Sequence, residues 1–363
     1  MTTSLVAEAF PPGEYLRDEL EERGWTVTEF AEILGRPVQA VSEILNGKKE
    51  ITTNTALAIA EALATTPELW LNLQTNYRLF EQRLKVAHDA GLTPVARRAR
   101  LRNLVPLSKM RNRGWLPTTD NLDEIEACVA ELLEVSSLDV RPSFAVAARR
   151  SNCDDPITPE QTAWLAYLRR VASEIEVKPY DRPGLAMLAA SVPHVVASGP
   201  GALADLPDRF ADCGVALVFA EGLPGGRLDG ATTILRDGRP TIGLTARGDR
   251  FDSVVFTLLH ECAHLLLHHV SSDFVIVDDD IITQDPTNPR ELAANEQASE
   301  WLFPCGLQIT STSVPEILEA ASRYRVHPSM VIGRIQRDLN DWRLHRAQIP
   351  KVRPHLSGAG ILR

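Results

Sequence analysis

The chain has 363 residues, a net charge of −10, 44% hydrophobic residues and 24% charged residues, which suits a globular protein of two or three domains better than one core. No apolar run reaches the roughly eighteen residues needed to cross a bilayer, so a helical membrane protein is not expected. The start, MTTSLVAEAFPPGEYLRDEL, lacks the basic opening and apolar core of a secretory signal, and the five cysteines (Cys128, Cys153, Cys213, Cys262, Cys305) share no repeated spacing; a cytoplasmic location and no membrane partner are therefore expected.

From Gly13 to about Gln82 apolar residues recur at helical spacing, with breaks at Gly24, Gly35, NGKKEITTN and TTPE, and five short helices fit. The stretch VTEFAEILGRPVQAVSEILNGKK is organised as a helix-turn-helix. Thr28 can cap its first helix, Ala31 is small where two helices must approach, Gly35 permits the turn, and a second helix runs from Pro37 to Leu45. That helix is the expected reading helix. It would present Gln39, Ala40, Ser42, Glu43 and Asn46 to operator DNA, with Arg36, Lys48 and Lys49 placed to meet phosphates. Charge runs against this, because residues 1–80 hold six basic residues against twelve acidic ones, whereas residues 83–113 hold nine basic residues and one acid. DNA affinity would then rest on those three cations and on the basic segment that follows. The alternative is a helical bundle that only dimerises or docks a partner.

Residues 10–80 resemble the lambda-repressor-like helix-turn-helix domain of HigA-type antitoxins. The Pro-Gly start, ILNGK, ITTNTALAIAEAL and PELWLNLQ occur in the family's order. The resemblance implies operator DNA and a toxin as partners, and palindromic operators call for a homodimer.

The segment RLKVAHDAGLTPVARRARLRNLVPLSKMRNR reads as basic helix broken by Pro94 and Pro106, either the charged surface of a connecting helix pair or an auxiliary phosphate contact. Helical patterns continue to about Leu188 in NLDEIEACVAELLEV and TPEQTAWLAYLRRVASEIEV, read as scaffold. Beyond Pro200 the texture changes. CGVALVFAE is a buried strand, and ATTILRDGRPTIGLTAR is two β-rich runs around an Asp237-Gly238 turn, a hairpin signal. The run Pro240 to Ala246 is either an edge along which an extended substrate could pair or an ordinary sheet strand.

Next comes FTLLHECAHLLLHH. Asp252 is a candidate N-cap, and Val254, Val255, Leu258, Leu259, Cys262, Leu265 and Leu266 supply an apolar surface too wide for a solvent-facing helix. Within it His260, Glu261 and His264 form HExxH, which puts two imidazoles on one helical face with a carboxylate beside them. Buried ionisable groups are costly unless a metal or hydrogen bonds satisfy them. A catalytic zinc needs a third ligand. The metzincin extension is ruled out, since Leu267 and Val270 stand where glycine and histidine are required. In RELAANEQASEWLFP, Glu291 and Asn295 share one helical face, so Glu291 is the expected third ligand and Asn295 the amide that orients a ligating imidazole. Glu296 and His268 are the rival ligands, and His268 and His269 otherwise suit the carbonyl end of the helix dipole.

FTLLHECAHLLLHH followed by ELAANEQASEWLFP is similar to the ImmA/IrrE family of zinc metallopeptidases, over roughly residues 190–305. The sequence departs from the usual second helix at Ala293, Gln297 and WLFP. The resemblance implies one Zn2+ per chain on a gluzincin-like set, His260, His264 and Glu291, with Glu261 as general base of an endopeptidase that stays latent until induced. Tyr324 and His327 are candidates for stabilising the oxyanion. The expected fold is α+β, mostly α. It comprises a five-helix helix-turn-helix domain at 10–82, a basic helical linker and scaffold at 83–187, a zincin-like metallopeptidase domain with a small β-sheet at 188–340, and a tail at 341–363. The expected function is a DNA-binding regulator that cleaves a repressor or antitoxin, either a separate protein or its own N-terminal region; the alternative is a HigA-like antitoxin whose metal domain senses or stiffens without cleaving.

Overall fold

The computed structural model describes residues 9–88, 93–144, 148–150, 153–270, 275–278 and 288–363. The basic-stripe side chains between 83 and 92 lie outside the described residues. The chain forms two compact units, Met1–Ala96 and Arg97–Arg363.

In the first unit the helices are α1 (Pro12–Arg23), α2 (Val27–Ile33), α3 (Val38–Leu45), α4 (Thr53–Leu63) and α5 (Pro67–His88). The cap of α2 is Thr26, two residues before the expected Thr28. Its side chain accepts from the Glu29 N–H while Glu29 reaches back to the Thr26 N–H, a reciprocal box that Thr28 has no partner to make. Gly35, at φ 61°, makes the turn between α2 and α3. Leu16, Phe30, Ala31, Val41, Ile59, Leu63 and Trp70 are buried together beneath them.

The second unit is three layers around a mixed sheet of β1 (Ala148–Arg150), β2 (Cys153–Pro156), β3 (Ala216–Phe219), β4 (Gly230–Ile234), β5 (Pro240–Leu244) and β6 (Val275–Asp278), in the order β2-β1-β6-β4-β5-β3. Strand alternation decides which side chain faces which layer. Ala216, Val218 and Ala231 pack with Trp164, Leu165 and Leu168 of a helix at Pro159–Ser173, together with α6 (Pro94–Leu104), α7 (Leu107–Asn112) and α8 (Leu122–Leu132). Leu217, Phe219, Ile242 and Leu244 face the other way, onto the helix Phe251–Leu266 and its neighbours. With the Pro159–Ser173 helix as α9, the second layer holds α10 (Arg182–Val195), α11 (Leu206–Asp212), α12 (Phe251–Leu266), α13 (Pro289–Leu302), α14 (Val314–Tyr324), α15 (Pro328–Leu339) and α16 (Arg353–Gly358).

Three readings of the sequence are decided or changed here. The Asp237-Gly238 turn does join an antiparallel hairpin, β4 to β5, but β5 also pairs in parallel with β3. It is an interior strand, so no extended substrate can pair along Pro240 to Ala246 without displacing β3 or β4. The basic segment divides at Ala96, and from Arg97 onward its cations cross-link the second unit. Arg97 bonds Glu126, Arg100 bonds Glu126 and Asp139, Lys109 bonds Glu160, and Arg113 bonds Glu221. The hydrogen bond from Arg97 holds the Glu126 carboxyl below its ordinary range. Those charges are spent on internal acids rather than offered to phosphates, while Arg98 and Arg102 stay exposed.

The third change concerns the last residues. Val352 and Leu356 are in the core, and Leu362 bridges in parallel to Phe219, with Arg363 N–H donating to the Phe219 carbonyl at 2.8 Å. The segment read as a tail therefore covers the outer edge of β3. Leu356→Ala is expected to cost about 2–5 kcal/mol, measured as a fall in the urea midpoint of the second unit at unchanged slope; an unchanged midpoint would return the segment to the status of a tail.

Candidate metal centre

α12 is buried along nearly its whole length, as its apolar surface requires. Its N-cap is Arg250 rather than Asp252. Asp252 sits inside the first turn, where both its oxygens accept from the Arg250 guanidinium at 3.1 and 2.6 Å, and burial pushes its carboxyl upward against that pairing. α13 begins with Asn288, whose side chain accepts from the Arg290 N–H at 3.0 Å, followed by Pro289. Glu291 thus falls in the first turn, where the exposed N–H ends of the helix favour a carboxylate.

The two helices bring His260, His264 and Glu291 together, all at most 3% exposed. His260 Nε2 lies 3.1 Å from Glu291 Oε2 and 2.8 Å from His264 Nε2, which is itself 3.5 Å from Glu291 Oε2. Their donor atoms all lie within 4.8 Å of one another. Two imidazole nitrogens and a carboxylate oxygen converging in a buried pocket are the donor set that suits a zinc ion with one position left over. Glu296 and His268 are exposed, and neither belongs to this cluster.

Each imidazole is held from behind. His260 Nδ1 meets Asn295 Oδ1 at 2.9 Å, so Asn295 stands where the sequence placed it. His264 Nδ1 meets His269 Nδ1 at 3.0 Å, a partner that helix-end reasoning missed. Burial, with the charge of Arg290 adding to it, pushes the His269 imidazole below its ordinary pKa and so favours the neutral ring.

Glu261 is fully buried and points toward β4, where Thr232 Oγ1 donates to its Oε2 at 2.5 Å. Two residues earlier on the same face is Gly230. A Cβ there would stand 2.3 Å from Glu261 Oε1 and 2.8 Å from Thr257 Cγ2, so only glycine leaves room for this carboxylate. Neither residue was singled out from the sequence; the available signal was their period-two spacing in the strand before the helix. The two oxyanion candidates have other tasks. Tyr324 donates to the Gly306 carbonyl at 2.6 Å, and His327 caps α15 by accepting from the Ser329 N–H.

In the first unit Gln39 and Asn46 are exposed, Ala40, Ser42 and Glu43 half-buried, and Lys48 and Lys49 exposed beyond α3. Gln39 Nε2 donates to Glu43 at 3.2 Å, Asn46 Nδ2 to the Ser42 carbonyl at 2.8 Å, and Arg36 to Thr55 Oγ1 at 2.9 Å.

A helical unit with a helix-turn-helix and a mixed-sheet unit with a buried HExxH centre define a two-part chain of the helix-turn-helix and metallopeptidase-like class. Sequence comparison agrees, as Helix-turn-helix matches residues 16–70 and IrrE N-terminal-like domain matches residues 216–336. The chain belongs to the HigA-like helix-turn-helix family through its first unit and carries an IrrE-like domain in its second. An uncharacterized HTH-type transcriptional regulator of Haemophilus influenzae is 39% identical over 70 residues, 19% of this chain and 65% of that protein, so the match stops short of two thirds of that relative. Antitoxin HigA-1 of Vibrio cholerae is 38% identical over 79 residues, 22% of this chain and 74% of that one. A solved HigA-family antidote protein from Coxiella burnetii is 34% identical, covering 24% of this chain and 98% of that one at a TM-score of 0.22.

Proposed function

We propose that the chain is a cytoplasmic DNA-binding regulator whose second unit is a zinc-dependent endopeptidase, latent until induced, that cleaves a repressor or antitoxin. The observation that carries this reading is the buried convergence of His260, His264 and Glu291 beside a separate buried carboxylate, Glu261. Zinc on those three residues would supply Lewis-acid polarisation of a peptide carbonyl and a more acidic water. Glu261 takes the proton of the attacking water and delivers it to the leaving amine. Thr232 holds the Glu261 carboxylate in place for both transfers, while Asn295 fixes the His260 ring.

The first unit supplies targeting to an operator as a homodimer, through α3 and the cations beside it. Its acidic balance makes those cations decisive. Lys48→Ala and Lys49→Ala should each lower the slope of log affinity against log salt by about 1, read from operator binding at several salt concentrations; an unchanged slope in the double variant would remove them from the interface. To test the enzyme, candidate repressors and antitoxins are co-expressed with wild type or Glu261→Gln under inducing conditions and their fragments identified by mass spectrometry. Glu261-dependent fragments support the reading, and stoichiometric zinc without them contradicts it. The likeness to Antitoxin HigA-1 favours one other reading, an antitoxin with a non-proteolytic metal domain. Neutralisation of a bound toxin that survives Glu261→Gln would select it.

A further inference from the structure

We infer that His269 is a positioning residue of the metal centre, accepting the Nδ1–H of His264 and thereby fixing the tautomer and ring plane of that ligand. The inference rests on the zinc reading of His260, His264 and Glu291. Its own support is the end of α12. Leu266 closes the helix, and His268 adopts a left-handed conformation at φ 57°, uncommon for any residue but glycine. The His268 N–H then turns back to the Leu265 carbonyl at 3.3 Å and the His269 N–H to the His264 carbonyl at 2.9 Å. This pair of reversed bonds is the Schellman arrangement, and its geometry folds His269 onto the side of the helix that carries His264. The same two residues are thus joined twice, once through the backbone and once through their rings, 5.2 Å apart at 58°.

The protons follow from that placement. His264 directs Nε2 into the cluster, so as a ligand it offers a lone pair there and carries its proton on Nδ1. The atom facing that proton at 3.0 Å is His269 Nδ1, which accepts only if its own proton is on Nε2. Asn295 Oδ1 performs the matching task behind His260. A partner behind each ligating imidazole raises its basicity and prevents it from rotating away. Exposed His268 suffices for the electrostatics of the helix end, but it cannot do this.

The test is zinc affinity of the full chain, measured by competition with a chromogenic chelator, with circular dichroism of the zinc-free protein as the check on folding. His269→Ala should bind zinc about 10- to 100-fold more weakly than wild type. His269→Asn places an oxygen acceptor where Nδ1 stood and should restore affinity. His269→Gln places it where Nε2 stood and should not. His268→Gly keeps the left-handed turn and should bind like wild type. If His269→Ala alters folding, the Asn and Gln variants decide, since both preserve bulk. Equal affinity in His269→Ala and wild type, or in His269→Asn and His269→Gln, overturns the inference while leaving the zinc site standing. Absence of zinc binding by wild type overturns the site itself, and this inference with it.

Discussion

Glu261→Gln is expected to lower proteolysis by about 10²- to 10⁴-fold while the chain keeps its fold and its zinc. The substitution is nearly isosteric, and an amide oxygen can still accept from Thr232, so the buried side chain retains its hydrogen bond to β4. What it loses is the capacity to take up a proton. Cleavage kinetics and zinc content measured on the same preparation separate the two effects. Undiminished cleavage by the variant would remove Glu261 from the chemistry, and simultaneous loss of zinc and fold would make it a packing residue.

Gly230→Ala is the second large effect, and it arises from a position with no titratable chemistry. The new methyl would meet Glu261 Oε1 and Thr257 Cγ2 at distances no carbon tolerates, so either β4 withdraws from α12 or the carboxylate leaves its seat. Overpacking of this kind costs about 1–3 kcal/mol. Cleavage should fall further than stability does, because the displaced group is the proposed general base. Gly358, where an added Cβ meets nothing within 4 Å, is the control substitution. Denaturant unfolding and cleavage rates check both. A Gly230→Ala chain with wild-type stability and cleavage would mean that the carboxylate seat is not specific.

The parts of the site legible in the sequence were those whose partners lie one helical turn apart. His260 and His264 share a face by spacing alone, and so do Glu291 and Asn295, which is why the proposed third ligand and the amide behind His260 could be read together from a distant helix. Thr232 and Gly230 reach Glu261 from a strand some thirty residues earlier, through the packing of sheet on helix; period-two spacing puts them on one face but does not say that the face meets Glu261. His269 was within view but read as helix-end charge. Its position depends on a left-handed turn at His268, and histidine gives no advance notice of that as glycine would.

In the fold, the hairpin was legible because its turn chemistry is local. The burial of β5 was not, because its other neighbour, β3, joins it in parallel across more than twenty residues. The basic stripe left two readings open for a related reason. Arg97, Arg100, Lys109 and Arg113 look like a phosphate-binding run until the acids that neutralise them, up to Glu221, fold back onto them. Charge counted along a chain is not charge exposed at a surface.

Zinc analysis of wild type beside Glu291→Ala bears most directly on the metal centre, since Glu291 is the ligand whose assignment depends on the fold rather than on HExxH. Wild type purified from zinc-containing medium should hold one zinc per chain. Glu291→Ala should weaken binding by more than the roughly 10- to 100-fold expected for losing only a hydrogen-bond partner of a ligand. Zinc held equally tightly by Glu291→Ala, or a wild-type chain that binds none, would contradict a centre built from His260, His264 and Glu291.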